Sequence, residues 1–170
     1  MADGNAGDPV ELLALRPGDI GPASPLLALN NAHAKELSFL AEAEMRAMIG
    51  EACVALRTAE GLAFLLAFDQ AADYDSPNFL WFRERFDRFV YVDRICVDPA
   101  LRGRGIARRF YEAVFERARA SGAGRVVCEV NEDPPNPASD AFHAALCFKE
   151  IGSAFLGDRG KRVRYFERTV

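Results

Sequence analysis

The order of apolar and polar residues divides the chain into short strands and amphipathic helices. The clearest strand is predicted over residues 89–97, where β-branched and aromatic residues continue almost unbroken to Asp98-Pro99. From Gly105 to Ala120 the apolar period becomes helical. The apolar face of this helix contains Ile106, Phe110, Tyr111, Val114 and Ala118. A second buried strand is predicted over 125–130, and a strand–helix–strand order makes these two strands parallel through a right-handed crossover.

Shorter segments on both sides complete the predicted fold. A hairpin turns at Glu60-Gly61, and Pro77 opens a short helix after Ser76. Asn136 caps a further helix that Pro137 opens. The other predicted strands cover 10–16, 52–58, 62–68, 148–155 and 162–168, and the other helices cover 22–31 and 39–50. The pattern predicts an α/β (α+β) fold with a mixed sheet of about seven strands and about four helices.

Length and composition predict a single domain. The chain has 170 residues and a net charge of −4, so no overall positive charge favours nucleic-acid binding. We expect a disordered lead-in at 1–8 and one domain over 9–170. No apolar run is long enough to cross a bilayer, and the N-terminus lacks the pattern of a secretory signal. The four cysteines form no Cys-x-x-Cys pair, which favours buried, reduced thiols in a cytoplasmic protein without a metal site.

The turn Arg102-Gly103-Arg104-Gly105-Ile106-Ala107 carries the clearest chemical signal. Two glycines let the backbone approach a ligand and direct several N–H groups to one side. The helix that follows adds free N–H groups and the positive end of its dipole, which favour a phosphate group. The turn lacks the P-loop motif, and Arg108 breaks the Gly-x-Gly-x-x-Gly pattern. Taken alone, the turn is either a phosphate-binding loop or a solvated basic turn.

Three motifs together resemble the GNAT superfamily of acetyl-CoA-dependent N-acetyltransferases. The turn fits the signature Arg/Gln-x-x-Gly-x-Gly/Ala, and the strand before it ends in Ile95-Cys96-Val97-Asp98-Pro99. Downstream, Asn136-x-x-Ser139-x-x-Phe142-His143-x-x-x-Cys147-Phe148 is similar to the family pattern Asn-x-x-Ser/Ala-x-x-Phe-Tyr-x-x-x-Gly-Phe. The resemblance implies a mostly antiparallel sheet whose two parallel strands splay apart to admit the thioester.

The resemblance also implies which residues hold acetyl-CoA. Backbone groups of Ile95, Cys96 and Val97 would pair with the pantetheine arm. Asn136 would touch the same arm, and Phe142 would pack beside it. The pyrophosphate would rest on the amides of Arg102, Gly103, Arg104, Gly105, Ile106 and Ala107. Asn136 is equally suited to be a plain helix cap, and both roles are compatible.

Three residues are candidates for proton transfer. His143 stands where the family usually has the tyrosine that protonates the leaving thiolate, and is either that acid or a partly exposed helix residue. Asp93 corresponds to an acidic residue of many family members, and Glu129 is a carboxylate within an apolar run. Either could be the general base. Asp93 could instead pair with Arg94 or Arg125, and Glu129 could face solvent or an arginine.

The function implied is the direct transfer of an acetyl group from acetyl-CoA to a primary amine of a small molecule, an amino acid or a peptide. The alternative is a non-catalytic acyl-CoA-binding sensor or interaction module with the same fold, which the change from Tyr to His at 143 favours. A homodimer is left open; no nucleic-acid or membrane partner is expected. The acids at 73, 75, 132 and 133 either form an acidic mouth for a cationic amine or lie on a solvated surface.

Overall fold

The computed structural model describes residues 10–157 and 159–170; the predicted lead-in at 1–8 lies outside them. Seven strands form one sheet in the order β1-β2-β3-β4-β5-β7-β6. The strands are β1 (Leu12–Ala14), β2 (Val54–Thr58), β3 (Ala63–Asp69), β4 (Val90–Val97), β5 (Arg125–Asp133), β6 (Lys149–Leu156) and β7 (Lys161–Thr169). The helices are α1 (Pro25–Ala32), α2 (Ala34–Leu37), α3 (Glu42–Glu51), α4 (Pro77–Arg83), α5 (Ile106–Ala120) and α6 (Pro137–Ala145).

The predicted elements are confirmed with two corrections. The described residues contain six α-helices rather than about four, and the single turn α2 after α1 is the helix that was not predicted. The predicted end of the strand 125–130 is also wrong, since β5 continues to Asp133. Asn131 and Asp133 pair with Val163 and Arg162 of β7, so the partner strand prolongs β5 beyond its apolar run.

The only parallel pair among the described strands, β4 and β5, separates after three residues on each strand. The paired positions run from Val90 with Val126 to Val92 with Cys128, and no pairing continues beyond them. From there β4 stays hydrogen-bonded to β3, while β5 stays paired with β7. A bulge on β4 accompanies the separation, because Val92 and Arg94 oppose successive residues of β3 and Asp93 has no opposite residue. The predicted splay is confirmed, and we call the space between the two strand ends the slot.

The central strands of the sheet are buried on both faces, with a hydrophobic core on each side. On β3, Phe64 and Leu66 pack in one core with α1, α3 and α4. Leu65 and Ala67 point to the opposite face and pack with α5. This period of two over a wholly apolar strand is typical of a central strand covered on both sides.

Helix α5 begins directly at the predicted turn. Gly105 is its N-cap and has φ +74°, a left-handed conformation that suits glycine. The predicted apolar face is confirmed, with Phe115 added to the five expected residues. Among the described residues, no helix is both long and apolar enough to span a membrane.

The cysteines follow their predicted state in part. All four are free thiols, and Cys96 and Cys128 are buried, whereas Cys147 is exposed. Cys147 has φ +61°, at a position where the resembled family usually has glycine. The backbone thus keeps the left-handed conformation that ends α6, with a residue that adopts it at some cost.

Candidate active site

Two cavities open on opposite sides of the slot and meet at its carboxylates. The larger has a volume of about 610 Å³ and reaches α6, and the smaller has a volume of about 420 Å³ and reaches α3 and α4. Asp93, Glu129 and Asn131 line both. A molecule in the larger cavity and one in the smaller cavity would therefore meet at these side chains.

The larger cavity contains several residues of the predicted cofactor site. Ile95, Arg102, Asn136 and His143 line it. Asn136 caps α6, because its Oδ1 accepts a hydrogen bond of 3.2 Å from the backbone N–H of Ser139. The structure thus brings together β4, the turn after it and the start of α6.

The turn after β4 is open above its two glycines. Gly103 and Gly105 both have φ +74°, and a Cβ placed on either would meet nothing within 4 Å. Arg102 is exposed, and its Nε donates to the carbonyl of Val97 at 3.2 Å. Arg109, near the start of α5, donates to the carbonyl of Val10. An open backbone at the start of a helix is a geometry that suits a phosphate group, and the binding of pyrophosphate at this turn stays a prediction.

The far half of β4 has one edge without a neighbouring strand. Residues 95–97 pair with Leu65, Phe64 and Ala63 of β3. On the side of β5, the ladder has already ended at Val92. Backbone groups along this edge face the slot, where an extended arm could pair with them as an added strand would. Phe142 is half-buried and packs edge-to-face on Tyr111 with ring centroids 5.3 Å apart.

Glu129 has one satisfied and one unsatisfied carboxylate oxygen. Its Oε1 accepts a hydrogen bond of 2.9 Å from Nδ2 of Asn78, whose own Oδ1 accepts from the Tyr165 hydroxyl at 3.0 Å. Its Oε2 is buried without a hydrogen-bond partner. Burial, together with the negative charge of nearby Asp93, raises the pKa of Glu129 to about 8. Glu129 therefore exchanges a proton near neutral pH.

Asp93 lies beside Glu129 but is held by two hydroxyl donors and one ion pair. The hydroxyls of Tyr74 and Tyr91 donate to its Oδ1 at 2.8 and 3.1 Å. Arg94 forms the ion pair anticipated as one alternative, with Nε 3.0 Å from Oδ2, although the two atoms are not aligned as a hydrogen bond. The side chains of this pair are each 7% exposed. Both oxygens of Asp93 are thus engaged within the protein.

His143 is buried, at 4% exposure, and both of its ring nitrogens have partners. Nδ1 lies 2.8 Å from the carbonyl oxygen of Ser139, which can only accept, so Nδ1 carries the proton. Nε2 of the neutral ring then accepts from the Tyr111 hydroxyl at 2.6 Å. Burial lowers the pKa of His143, which favours this neutral form. The expectation that His143 is a partly exposed helix residue is wrong.

Comparison with known proteins identifies a domain family. Residues 78–147 match the model of the Acetyltransferase (GNAT) family. These residues thus form a GNAT acetyltransferase domain. Such a domain is that of an acyltransferase, and acetyl-CoA is the co-substrate that the family implies. No curated protein matches it in sequence.

Solved structures share the fold of this chain over almost its whole length. The NatC complex bound to Gag peptide and CoA has a chain with a TM-score of 0.72 and 11% identity, covering 95% of this chain and 98% of its own. A Drosophila melanogaster polyamine N-acetyltransferase that forms N-acetylagmatine has a TM-score of 0.66 and 16% identity, covering 95% of this chain and 100% of its own. A Salmonella typhimurium putative acetyltransferase with its cofactor acetyl-CoA has a TM-score of 0.65 and 16% identity, covering 94% of this chain and 93% of its own. At these identities the likeness establishes the GNAT fold.

Several residues of the candidate site are not predicted from the sequence. Asn78, in the short helix that Pro77 opens, binds Glu129, and Tyr74 binds Asp93. Tyr111 was assigned only to the apolar face of α5. These residues share one feature in the sequence: each has a hydrogen-bonding group within an apolar helix or an aromatic segment. This feature does not reveal the partner of the group.

The acidic mouth suggested by four carboxylates is formed only in small part. Of the four, Asp75 alone lines one of the two cavities. Glu132 lies 3.9 Å from Arg162, and the segment around it belongs to β5. Among the described residues, no group of three or more His, Cys, Asp or Glu could hold a metal ion.

Proposed function

We propose that the chain is an N-acetyltransferase that moves an acetyl group from acetyl-CoA directly to a primary amine of a small molecule, an amino acid or a peptide. One observation carries this proposal: two cavities meet in a slot whose shared wall includes Asp93 and Glu129. A donor can enter from the side of α6 and an acceptor from the side of α3 and α4. Direct transfer needs such a meeting point, because both reactants must be bound at once.

We assign the larger cavity and the open edge of β4 to acetyl-CoA. The backbone of Ile95, Cys96 and Val97 would pair with the pantetheine arm, and the amides from Arg102 to Ala107 would bind the pyrophosphate. Asn136 and Phe142 would border the arm. The N–H of Val97 is our candidate for polarising the thioester carbonyl. The open glycines at 103 and 105 and the position of Asn136 support this assignment.

We assign the smaller cavity to the amine and Glu129 to the role of general base. A carboxylate with its pKa near 8 accepts a proton from an amine, whose pKa is about 10, better than an ordinary carboxylate does. The unpartnered Oε2 is the atom available for this transfer, directly or through a water molecule. Asp93, with both oxygens engaged, is better suited to orient the site and to raise the pKa of Glu129 than to be the base.

The structural relatives agree with an amine acceptor. One is bound to a peptide and CoA, and another acetylates a polyamine. Acceptors of this kind share an amino group, and the choice between them lies in the smaller cavity. The cytoplasmic location and the homodimer stay predictions.

The alternative, a non-catalytic acyl-CoA sensor, has one observation in its favour. Both ring nitrogens of His143 are engaged within the protein, so the expected acid is not free to donate. An enzyme and a sensor would both bind acetyl-CoA. Only the enzyme would transfer the acetyl group to an amine, so turnover distinguishes the two functions.

The test is CoA release from acetyl-CoA with a panel of amines that includes polyamines, amino acids and short peptides. We expect one class to release CoA well above the rate of background hydrolysis and to yield an N-acetylated product by mass spectrometry. Binding of acetyl-CoA without release by any amine would support the sensor instead. No binding of acetyl-CoA would contradict both functions.

A further inference from the structure

A tyrosine hydroxyl lies at the apex of the slot, on the cofactor side. Tyr111 comes from α5 and lines the larger cavity. Its hydroxyl neighbours Nε2 of His143 and the thiol of Cys128, and Cys128 is the last residue of β5 that pairs with β4. The hydroxyl thus lies where the two parallel strands begin to separate.

The imidazole beside it has no proton directed toward the slot. Its Nδ1 proton is donated to the Ser139 carbonyl within α6, and its Nε2 accepts from Tyr111. Tyr111 is 0% exposed to solvent but lines the larger cavity, so its phenol is a proton donor beside that cavity. Four rings pack on Tyr111, those of Phe115, Phe142, His143 and Phe148, and Phe166 stacks on His143. This packing fixes the position of the hydroxyl.

We propose that Tyr111 is the residue that protonates the departing thiolate of CoA, and that His143 is the positioning residue that holds its hydroxyl. The role rests on the proposed N-acetyltransferase function. It moves proton donation from α6, where the family motif places it, to α5. The change from Tyr to His at 143 is then matched by a phenol supplied from the facing helix, since the two side chains are in direct contact.

The proton transfer balances with the groups present. When the carbon–sulfur bond of the tetrahedral intermediate breaks, its electron pair goes to sulfur. The Tyr111 hydroxyl turns from Nε2 to the sulfur and gives up its proton, which leaves a phenolate. The proton lost by the attacking nitrogen goes to Glu129. Exchange with solvent then returns one proton to the phenolate and removes one from Glu129.

The test compares two donors that differ in one atom, acetyl-CoA and its selenium analogue acetyl-seleno-CoA. A selenolate is stable without a proton near neutral pH, so its departure needs no acid. We expect Tyr111→Phe to slow turnover of acetyl-CoA by about 10²-fold or more and turnover of the selenium analogue by less than about threefold. His143→Phe should show the same preference for selenium, and the double variant should be no slower than Tyr111→Phe. Thermal shifts with acetyl-CoA check that the variants fold and bind the donor.

Different outcomes identify different errors. Equal losses with both donors in Tyr111→Phe would show that the hydroxyl serves only packing, and would overturn the proposal. A selective loss in His143→Phe without one in Tyr111→Phe would overturn it too, and would make the imidazole the donor. If the wild-type protein turns over neither donor with any amine, the proposed function itself is wrong and this role falls with it.

Discussion

Glu129 and Asp93 are neighbouring carboxylates whose side chains have different partners. Asp93 is bound by two tyrosine hydroxyls and an arginine, whereas Glu129 has one amide donor and one unsatisfied oxygen. A negative charge nearby disfavours ionisation of a buried carboxyl group. Burial and the charge of Asp93 therefore raise the pKa of Glu129 to about 8, which makes Glu129 the group that exchanges a proton.

Glu129→Gln should remove the general base while keeping the shape of the site. The amide oxygen of Gln can still accept from Asn78, but the side chain cannot take a proton. We expect kcat to fall by about 10²–10⁴-fold with little change in acetyl-CoA affinity. Wild-type activity should rise with pH through about 8, because Glu129 is active when deprotonated. Steady-state kinetics from pH 6 to 9 measure both effects.

Glu132→Gln is the matched control, since Glu132 lies on the same strand but is exposed. It should keep both kcat and the pH profile. A profile that is unchanged in Glu129→Gln would assign the base to another group, with Asp93 the first to examine by Asp93→Asn.

The same substitution should stabilise the protein at alkaline pH. Glu129 has a pKa of about 8 when folded against a usual value of 4.5, so between these values the folded protein holds a proton that the unfolded chain releases. The buried charge of Glu129 does not lower the stability of the folded protein below about pH 4.5, and its destabilising effect grows from there to about pH 8. Relative to wild type, we expect Glu129→Gln to raise the free energy of unfolding by about 1 kcal/mol or more at pH 8 and by little at pH 5. Urea denaturation at both pH values tests this, and a constant difference would contradict the burial of the charge.

At the scale of elements, the proposed acceptor side depends on a segment that α1 holds in place. Asn31 near the end of α1 binds Leu40 twice: its Nδ2 donates to the Leu40 carbonyl and its Oδ1 accepts from the Leu40 N–H, both at 3.0 Å. Phe39, 69% exposed, and Leu40 line the smaller cavity. Arg94 adds a further bond of 3.2 Å to the carbonyl of Ser38. The segment 38–40 is thus a wall of the acceptor cavity fixed mainly by side chains.

Asn31→Ala should loosen this wall without affecting the cofactor. The variant removes both bonds to Leu40, each worth about 1 kcal/mol. We expect faster amide hydrogen exchange in a peptide spanning 37–41 and a KM for the amine raised about threefold or more. The reciprocal variant, Asn136→Ala, removes the cap of α6 and should weaken acetyl-CoA instead. An equal effect of both variants on both substrates would argue against separate donor and acceptor sides.

The elements that the sequence predicted well are those with a local signal. The turn at 102–107 and the helix after it follow from two glycines and a helical apolar period. The residues missed are those whose partners are remote in sequence. Asn78 and Glu129 are 51 residues apart, and Tyr111 and His143 are 32 apart. Such contacts depend on the order of strands in the sheet and on which helix covers which face, and the apolar pattern of α5 predicts only that Tyr111 is buried.

For β5, the partner strand outweighed the local pattern. Its sequence becomes polar at Asn131 and suggests a loop, yet the ladder with β7 continues to Asp133. At the end of a strand, the backbone can stay hydrogen-bonded to its partner strand even where the side chains are polar. This extension also brings Asn131 into the wall of both cavities, which no sequence motif indicated.

At the scale of the whole molecule, α5 connects the cofactor turn with the rest of the fold, and a glycine lies at each end of it. Gly105 caps its beginning and Gly124 follows its end, with φ +74° and +72°. A Cβ on either would meet no atom within 4 Å. The two positions therefore impose similar backbone strain, about 1–2 kcal/mol for a residue other than glycine, and only Gly105 lies in the turn assigned to the pyrophosphate.

Gly105→Glu and Gly124→Glu form a matched pair that tests the cofactor site in the folded protein. Acetyl-CoA at about 100 times its Kd should stabilise the wild-type protein by about 2.7 kcal/mol, or about 5–10 °C in Tm for a chain of this size. Both variants should lower the Tm of the free protein similarly. Gly105→Glu should lose the shift, because its carboxylate and side chain occupy the space of the phosphates, whereas Gly124→Glu should keep it. Loss of the shift in both variants would mean that strain alone abolishes binding, and a shift kept in Gly105→Glu would move the pyrophosphate away from this turn.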